Sequence, residues 1–351
     1  MALDQDTREM MLETAGRLLT DKCPPDIVNA AEKGAWPADL WSAVEEAGLT
    51  GIAAAEDAGG VGGSLVDLSA VQRLLGYFAV PLPAAETALA RYLGSLAGVA
   101  LPEGPLALAI GRTPLRLSGD GKRVSGLLRD VPWLHAATAV VAAAQSEKGS
   151  LRLVVLNGTQ QADSGNSAGE PRGRLDLQDA AVLAAGDLPM SAARLWQLGA
   201  LMRVQQMAGA GQRVLDICVQ YARERKQFGR PIGSFQALQQ LLAELAGHVA
   251  AVNAAAESAA YAADSGDPGI AVAAAKTRAS EAAGKISAAG HQVLGAMGFT
   301  YEHNLHHFTR RLWCWRDDYG SDTVWAGELG RLVCDAGPQA LWPGLTAGRI
   351  G

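Results

Sequence analysis

The chain has 351 residues, 49% of them hydrophobic, and a net charge of −6 from 30 basic and 36 acidic side chains. That length predicts two or three domains, and the scattered Lys and Arg form no basic stripe, which excludes nucleic acid as a partner. No apolar run approaches the ~20 residues that span a bilayer, and no Cys-x-x-Cys spacing joins Cys23, Cys218, Cys314 and Cys334, as expected of free thiols in a reducing cytoplasm.

Residues 1–104 read as helices. Met11, Ala15 and Leu18 mark a first apolar stripe, and Leu40, Val44 and Leu49 belong to a later one. Pro24-Pro25 and the glycine run Gly59-Gly60-Val61-Gly62-Gly63 punctuate them. The start of the chain, MALDQDTREMM, is acidic and polar, unlike a signal peptide. Residues 105–190 change texture to short β-like runs, LALAI (106–110), PLRLSG (114–119), AVVAAA (139–144) and LRLVVLNG (151–158), as in a small all-β domain. Residues 160–173 are polar and are expected to form a loop without chemistry.

Residues 191–351 return to long, alanine-rich helices. Val214, Ile217, Cys218 and Tyr221 lie on one face, and Leu241, Leu245, Val249 and Val252 repeat at helical spacing. Asp267-Pro268 reads as the N-cap and first position of a further helix. Between the first two helices of this region lies RERKQFGRPIGSFQ, residues 223–236. It begins inside a helix and turns through Gly229-Arg230-Pro231, with Ser234 placed to cap a helix from Phe235. Arg225 can fork two hydrogen bonds onto a phosphate, and a helix start favours negative charge. A cationic helix end that merely complements the helix dipole is the competing reading of the same residues.

Residues 223–236 resemble the flavin-binding signature of the acyl-CoA dehydrogenase family. Residues 36–67, WPADLWSAVEEAGLTGIAAAEDAGGVGGSLVD, are similar to that family's early helix and Gly-Gly turn, where Glu56 matches a position of structural role. HQVLGAMGF at 291–299 resembles its Gln-x-x-Gly-Gly-x-Gly element, with Ala296 in place of the second glycine. The resemblance implies a mostly α fold with a central β domain: an N-terminal helical domain (1–104), a middle β-barrel (105–190) and a C-terminal four-helix bundle (191–351). It also implies FAD as cofactor, with Arg225, Phe228, Gln236, Gln292 and Gly295 contributing to the pyrophosphate and adenosine of a neighbouring subunit's FAD.

The family's reaction removes hydrogen from the α and β carbons of an acyl-CoA, a carboxylate taking the α proton and the flavin the hydride. The stretch that resembles the usual glutamate motif, residues 310–332, puts Tyr319 in the base position when the motif glycine is aligned on Gly320. A phenol is a poor resting base at neutral pH. Asp317 and Asp318 are the weak substitutes nearby, with Asp322 just beyond. The family's alternative base site falls near Gly199, and Leu188 to Leu215 contains no Asp or Glu. The middle region also lacks the family's flavin-lining segment, although Trp133 is a candidate for its aromatic position.

The leading expectation is therefore one subunit of a heteromeric complex, a heterotetramer with a second acyl-CoA dehydrogenase subunit, acting on an acyl-CoA of steroid type and passing electrons to an acceptor. The alternatives are a self-sufficient homo-oligomer using Asp317 or Asp318, and a non-catalytic helical interaction protein. His303, His306 and His307 carry no metal-site spacing, so no metal is assigned.

Overall fold

The computed structural model describes residues 3–158 and 164–347. The chain divides into two compact units, Met1–Val71 with Val80–Gly199, and Gln72–Ala79 with Ala200–Gly351.

The first unit opens with α1 (Gln5–Lys22), α2 (Pro25–Ala31) and α3 (Ala38–Glu46). Asp4 caps α1 by accepting the Thr7 N–H at 2.9 Å, and the buried stripe of α1 runs through Ala15 and Leu19 rather than Leu18. The glycine run then folds back on the turn before it. A Cβ at Gly60 would lie 2.1 Å from the Ala54 carbonyl oxygen, so only glycine fits that approach. Helix α4 (Leu65–Tyr77) follows. Its buried Asp67 accepts from the Ser64 N–H and hydroxyl, each at 2.8 Å, and from Arg8 at 2.6 Å. Burial pushes this carboxyl up, but the Ser64 N–H, the Arg8 guanidinium and the Leu3 N–H outweigh burial and hold it below the usual carboxylate range. Helix α5 (Ala84–Ala97) completes the helical part of this unit, and its Arg91 pairs with Glu45 of α3 at 2.7 Å.

The four β-like runs fall on β1 (Leu106–Ala109), β2 (Leu115–Leu117), β4 (Ala139–Gln145) and β5 (Leu151–Asn157), and the sheet adds β3 (Arg123–Pro132), β6 (Ser164–Gly165), β7 (Pro171–Ala181) and β8 (Ala184–Asp187). The order is β6-β7-β3-β2-β4-β5-β8, and β1 and β2 both pair in parallel with β4, one after the other along it. Strand β4 is buried from Ala139 through Ala144, which explains why it reads as a continuous apolar run and not an alternation. Part of the expected polar loop is a hairpin. Ser164 and Gly165 pair with Arg172 and Pro171, and Glu170 and Arg172 form a buried ion pair at 3.1 Å. The rest of that expectation, residues 160–163, lies outside the described residues. Trp133 is buried in this unit, and its backbone N–H donates to the Pro171 carbonyl at 3.0 Å.

The second unit is helical. It takes the end of α4 and most of α6 (Ala192–Glu224), then α7 (Gln236–Asp264), α8 (Gly269–Leu294), α9 (Leu305–Trp315), α10 (Asp322–Ala336) and α11 (Pro338–Ala347). Pro268, not Asp267, is the N-cap of α8, and no side chain caps it. Helix α7 buries Leu245, Val249, Val252 and Ala256 on one face, and α8 buries Ala275, Ala279, Ala282 and Ile286. Small side chains let such helices approach closely. The tightest crossing is glycine against backbone. A Cβ at Gly209 would lie 1.9 Å from the Arg73 carbonyl oxygen, and one at Gly76 would lie 2.1 Å from that of Gln206. Neither backbone can retreat without breaking its helix, so Gly209→Ala should destabilise the chain by about 3 kcal/mol. A chemical-denaturation series on the purified variant reads that loss. No helix among the described residues is long and apolar enough to cross a membrane.

Candidate functional site

Helix α6 ends at Glu224, and the chain immediately forms a two-stranded hairpin, β9 (Lys226–Gln227) with β10 (Arg230–Pro231). The two residues between the strands, Phe228 and Gly229, have φ of 52° and 78°. Two consecutive positive φ values match the twist of a tight hairpin. Glycine takes that conformation freely, whereas Phe228 takes it at a cost. The hairpin is tied at its base, where the Arg225 N–H donates to the Tyr221 carbonyl and the Ile232 N–H to the Arg225 carbonyl, both at 2.8 Å. Its tip projects into solvent, with Phe228 91% exposed.

The expected cap differs in detail. Residues Ile232–Ser234 form a 3-10 turn, and the Ser234 hydroxyl donates to the Pro231 carbonyl at 2.7 Å instead of capping α7. Phe235 is the N-cap, and no side chain caps that terminus. The Arg230 guanidinium lies 4.3 Å above the Phe235 ring, and Phe228 meets the same ring edge-on at 6.1 Å. These contacts brace the hairpin against the start of α7.

Across from the hairpin, α8 stops at Leu294, and Gly295 leaves it with φ 59° and ψ −137°. Nothing lies within 4 Å of where a Gly295 Cβ would stand, so glycine is there for its backbone conformation. Hairpin and loop enclose a cleft of about 490 Å³ that Arg225, Phe228, Gln292 and Gly295 line together. Four of the five expected cofactor residues therefore converge, although Arg225 and Gln292 lie far apart in sequence. Gln236 is not among the lining residues; it is the exposed first residue of α7. Tyr221, Gln227, Phe235, Leu238 and Met297 also line the cleft, and sequence reasoning missed them. Tyr221 and Leu238 carried only the ordinary helical periodicity as a signal.

The cleft fits part of a dinucleotide by its own chemistry. A guanidinium and a primary amide supply donors for phosphate oxygens, an exposed ring offers a flat face, and the open backbone at Gly295 leaves room. No carboxylate is among the described residues that line it.

The candidate bases lie elsewhere in the second unit, on the turn after α9. Asp317 is 65% exposed and lies 3.8 Å from the Arg316 guanidinium. Asp318 accepts from Arg203 Nε at 2.9 Å, and the Arg203 side chain is only 2% exposed. Gln206 accepts from the same guanidinium. Tyr319 has φ 56°, and its carbonyl accepts the Trp325 indole N–H at 2.8 Å. Asp318 thus pairs with a buried cation, and Asp317 is exposed on the turn. None of the four cysteines forms a disulfide, and burial pushes the Cys218 thiol up to about 12.

Comparison with known proteins places these features in a family. Residues 5–95 match the acyl-CoA dehydrogenase N-terminal domain, and residues 192–324 match the acyl-CoA dehydrogenase C-terminal domain. Acyl-CoA dehydrogenase IpdE2 of Mycobacterium tuberculosis is 30% identical over 314 residues, covering 87% of this chain and 91% of its own. The ChsE4-ChsE5 complex from Mycobacterium tuberculosis shares the fold, with a TM-score of 0.85 at 24% identity over 95% of this chain and 98% of the matched one. A Tcur3481-Tcur3483 steroid acyl-CoA dehydrogenase variant gives 0.82 at 24% identity over 94% and 98%. With both domains matched in order and a relative aligned over most of its length, this chain belongs to the acyl-CoA dehydrogenase family.

Proposed function

We propose that this chain is one subunit of a heteromeric acyl-CoA dehydrogenase and lends its hairpin cleft to a FAD whose flavin pocket and catalytic glutamate sit mainly on a partner subunit. The observation that carries this reading is an asymmetry. The donor-lined cleft is assembled, whereas the position that resembles the base holds Tyr319, and the nearest carboxylate, Asp318, is held by Arg203. Arg225, Phe228, Gln292 and Gly295 are the residues we assign to FAD, with Gln236 flanking them at the start of α7. Bound FAD supplies the hydride acceptor of the family's reaction.

A steroid-derived CoA thioester is the proposed substrate class, supported by the fold shared with a protein described as a steroid acyl-CoA dehydrogenase. The likeness to a two-component complex supports the heteromer. The division into domains 1–104, 105–190 and 191–351 and a cytoplasmic location belong to the same proposal. So does a separate electron acceptor.

The test is a flavin absorbance spectrum of the purified chain, alone and co-expressed with acyl-CoA dehydrogenase subunits from its genomic neighbourhood. Colour and turnover only in the co-expressed complex are expected. A yellow, active protein from the chain alone defeats the heteromer, and a colourless preparation under every pairing makes it an interaction protein. A second expectation concerns Phe228. Because the ring is exposed on a hairpin tip and loses only one edge-on contact, Phe228→Ala should shift the melting of the isolated chain little. In the complex it should weaken FAD retention by about tenfold, the worth of one aromatic contact. Flavin released on serial dilution measures it.

A further inference from the structure

Lys276, on α8, is fully buried. Its ammonium donates to Ser280 Oγ at 3.0 Å and to the carbonyl oxygens of Trp315 at 3.3 Å, Arg316 at 2.7 Å and Gly320 at 2.8 Å. Helix α9 ends at Trp315, so two of these carbonyls lie at a helix C-terminus, where acceptors are left without intrahelical partners and a cation is favoured. Gly320 lies beyond the turn. One side chain therefore ties both ends of the 316–320 turn to the middle of another helix.

The turn between those anchors is held in an unusual conformation. Tyr319 and Gly320 both have positive φ, 56° and 98°, and strain of that kind persists only where the surroundings impose it. The Ser280 hydroxyl donates to the Arg316 carbonyl at 3.0 Å, Asp318 is pinned by Arg203 from α6, and the Tyr319 carbonyl is taken by Trp325 from α10.

We propose that Lys276 is a proton-dependent latch: its buried ammonium positions the 316–320 turn, and losing one proton releases a carbonyl and lets the turn move. An ammonium has three N–H groups for the four acceptors around it, and a neutral amine has two. The charged groups that face Lys276 are Asp317 and Asp318 from the turn, Asp322 at the start of α10 and Arg203 from α6. Burial lowers the lysine to about 7, against the pull of Asp318 and Asp317. The switch therefore falls near neutral pH and not in the ordinary lysine range. The latch is a property of this chain by itself, so its failure and that of the FAD assignment are separable.

The Trp325 indole reports the turn directly through its bond to Tyr319. In the full chain carrying 5-fluorotryptophan, the fluorine resonance that Trp325→Phe removes is followed from about pH 5.5 to about pH 9. One transition centred near 7 is expected in the parent, and none in Lys276→Met. The unfolded chain keeps this proton to the ordinary lysine range, so the parent should gain stability as pH rises from about 7 towards that range, and Lys276→Met should lack that gain. If Lys276→Met does not fold, Asp317→Asn decides the matter. Removing that exposed carboxylate should move the midpoint down by roughly a few tenths of a pH unit. A flat Trp325 resonance in the parent, a transition that survives in Lys276→Met and so belongs to a histidine, or a midpoint unmoved by Asp317→Asn overturns the latch.

Discussion

Arg225→Ala is expected to leave the chain folded and to strip the assembled complex of its FAD. Arg225 is exposed and anchors the hairpin through its backbone, with N–H to Tyr221 and carbonyl to Ile232. Alanine keeps both bonds, so the hairpin survives. What goes is a guanidinium beside the donors of Gln292 and the open backbone of Gly295. A charge-assisted bond to phosphate is worth about 1.5–3 kcal/mol, or roughly ten- to a hundredfold in retention. Arg225→Lys keeps the charge and loses the fork, and should fall between parent and alanine. Flavin per complex, read after gel filtration, measures both variants. An Arg225→Ala complex with its full flavin complement overturns the assignment of this cleft.

The second large effect is on stability, at Asp318. Replacing Asp318 with Asn removes the charge partner of Arg203 while leaving that guanidinium buried. Breaking a buried pair from one side costs several kcal/mol; because the Asp318 side chain is 23% exposed, about 2–4 kcal/mol is expected. Asp317→Asn, at a solvated position, should cost well under 1 kcal/mol. If a partner supplies the base, the folded Asp318→Asn complex should turn over within a few-fold of the parent. If this chain supplies it, turnover should fall by orders of magnitude, because an amide cannot accept the α proton. Denaturant midpoints and kcat on the same preparations separate the two effects. An inactive Asp318→Asn complex of unchanged stability, with FAD still bound, would make this chain its own catalyst.

The sequence by itself determined the helix, β, helix succession and four residues of the cleft. Hydrophobic repeats at three and four residues mark α6 and α7, and short β-like runs between turns mark β1, β2, β4 and β5, because both are local patterns set by which face a residue buries. The composition of residues 223–236 and 291–299, together with the family they resemble, named Arg225, Phe228, Gln292 and Gly295 before any geometry placed them together.

Only the tertiary structure decided what depends on distant partners or on backbone dihedrals. Gly76 and Gly209 read as ordinary helical glycines until two helices cross on them. Ser234 reads as a cap until its hydroxyl turns back to Pro231. Gln236 passes as a cleft residue until α7 begins with it outside the lining. The pairing of Asp318 with Arg203, 115 residues earlier in the chain, has no local signal. Lys276 is one more helical lysine until four acceptors surround it. Periodicity and spacing record which side of an element faces inward. They do not record which charge from another helix will arrive there, and that meeting decides how a half-buried charge is balanced.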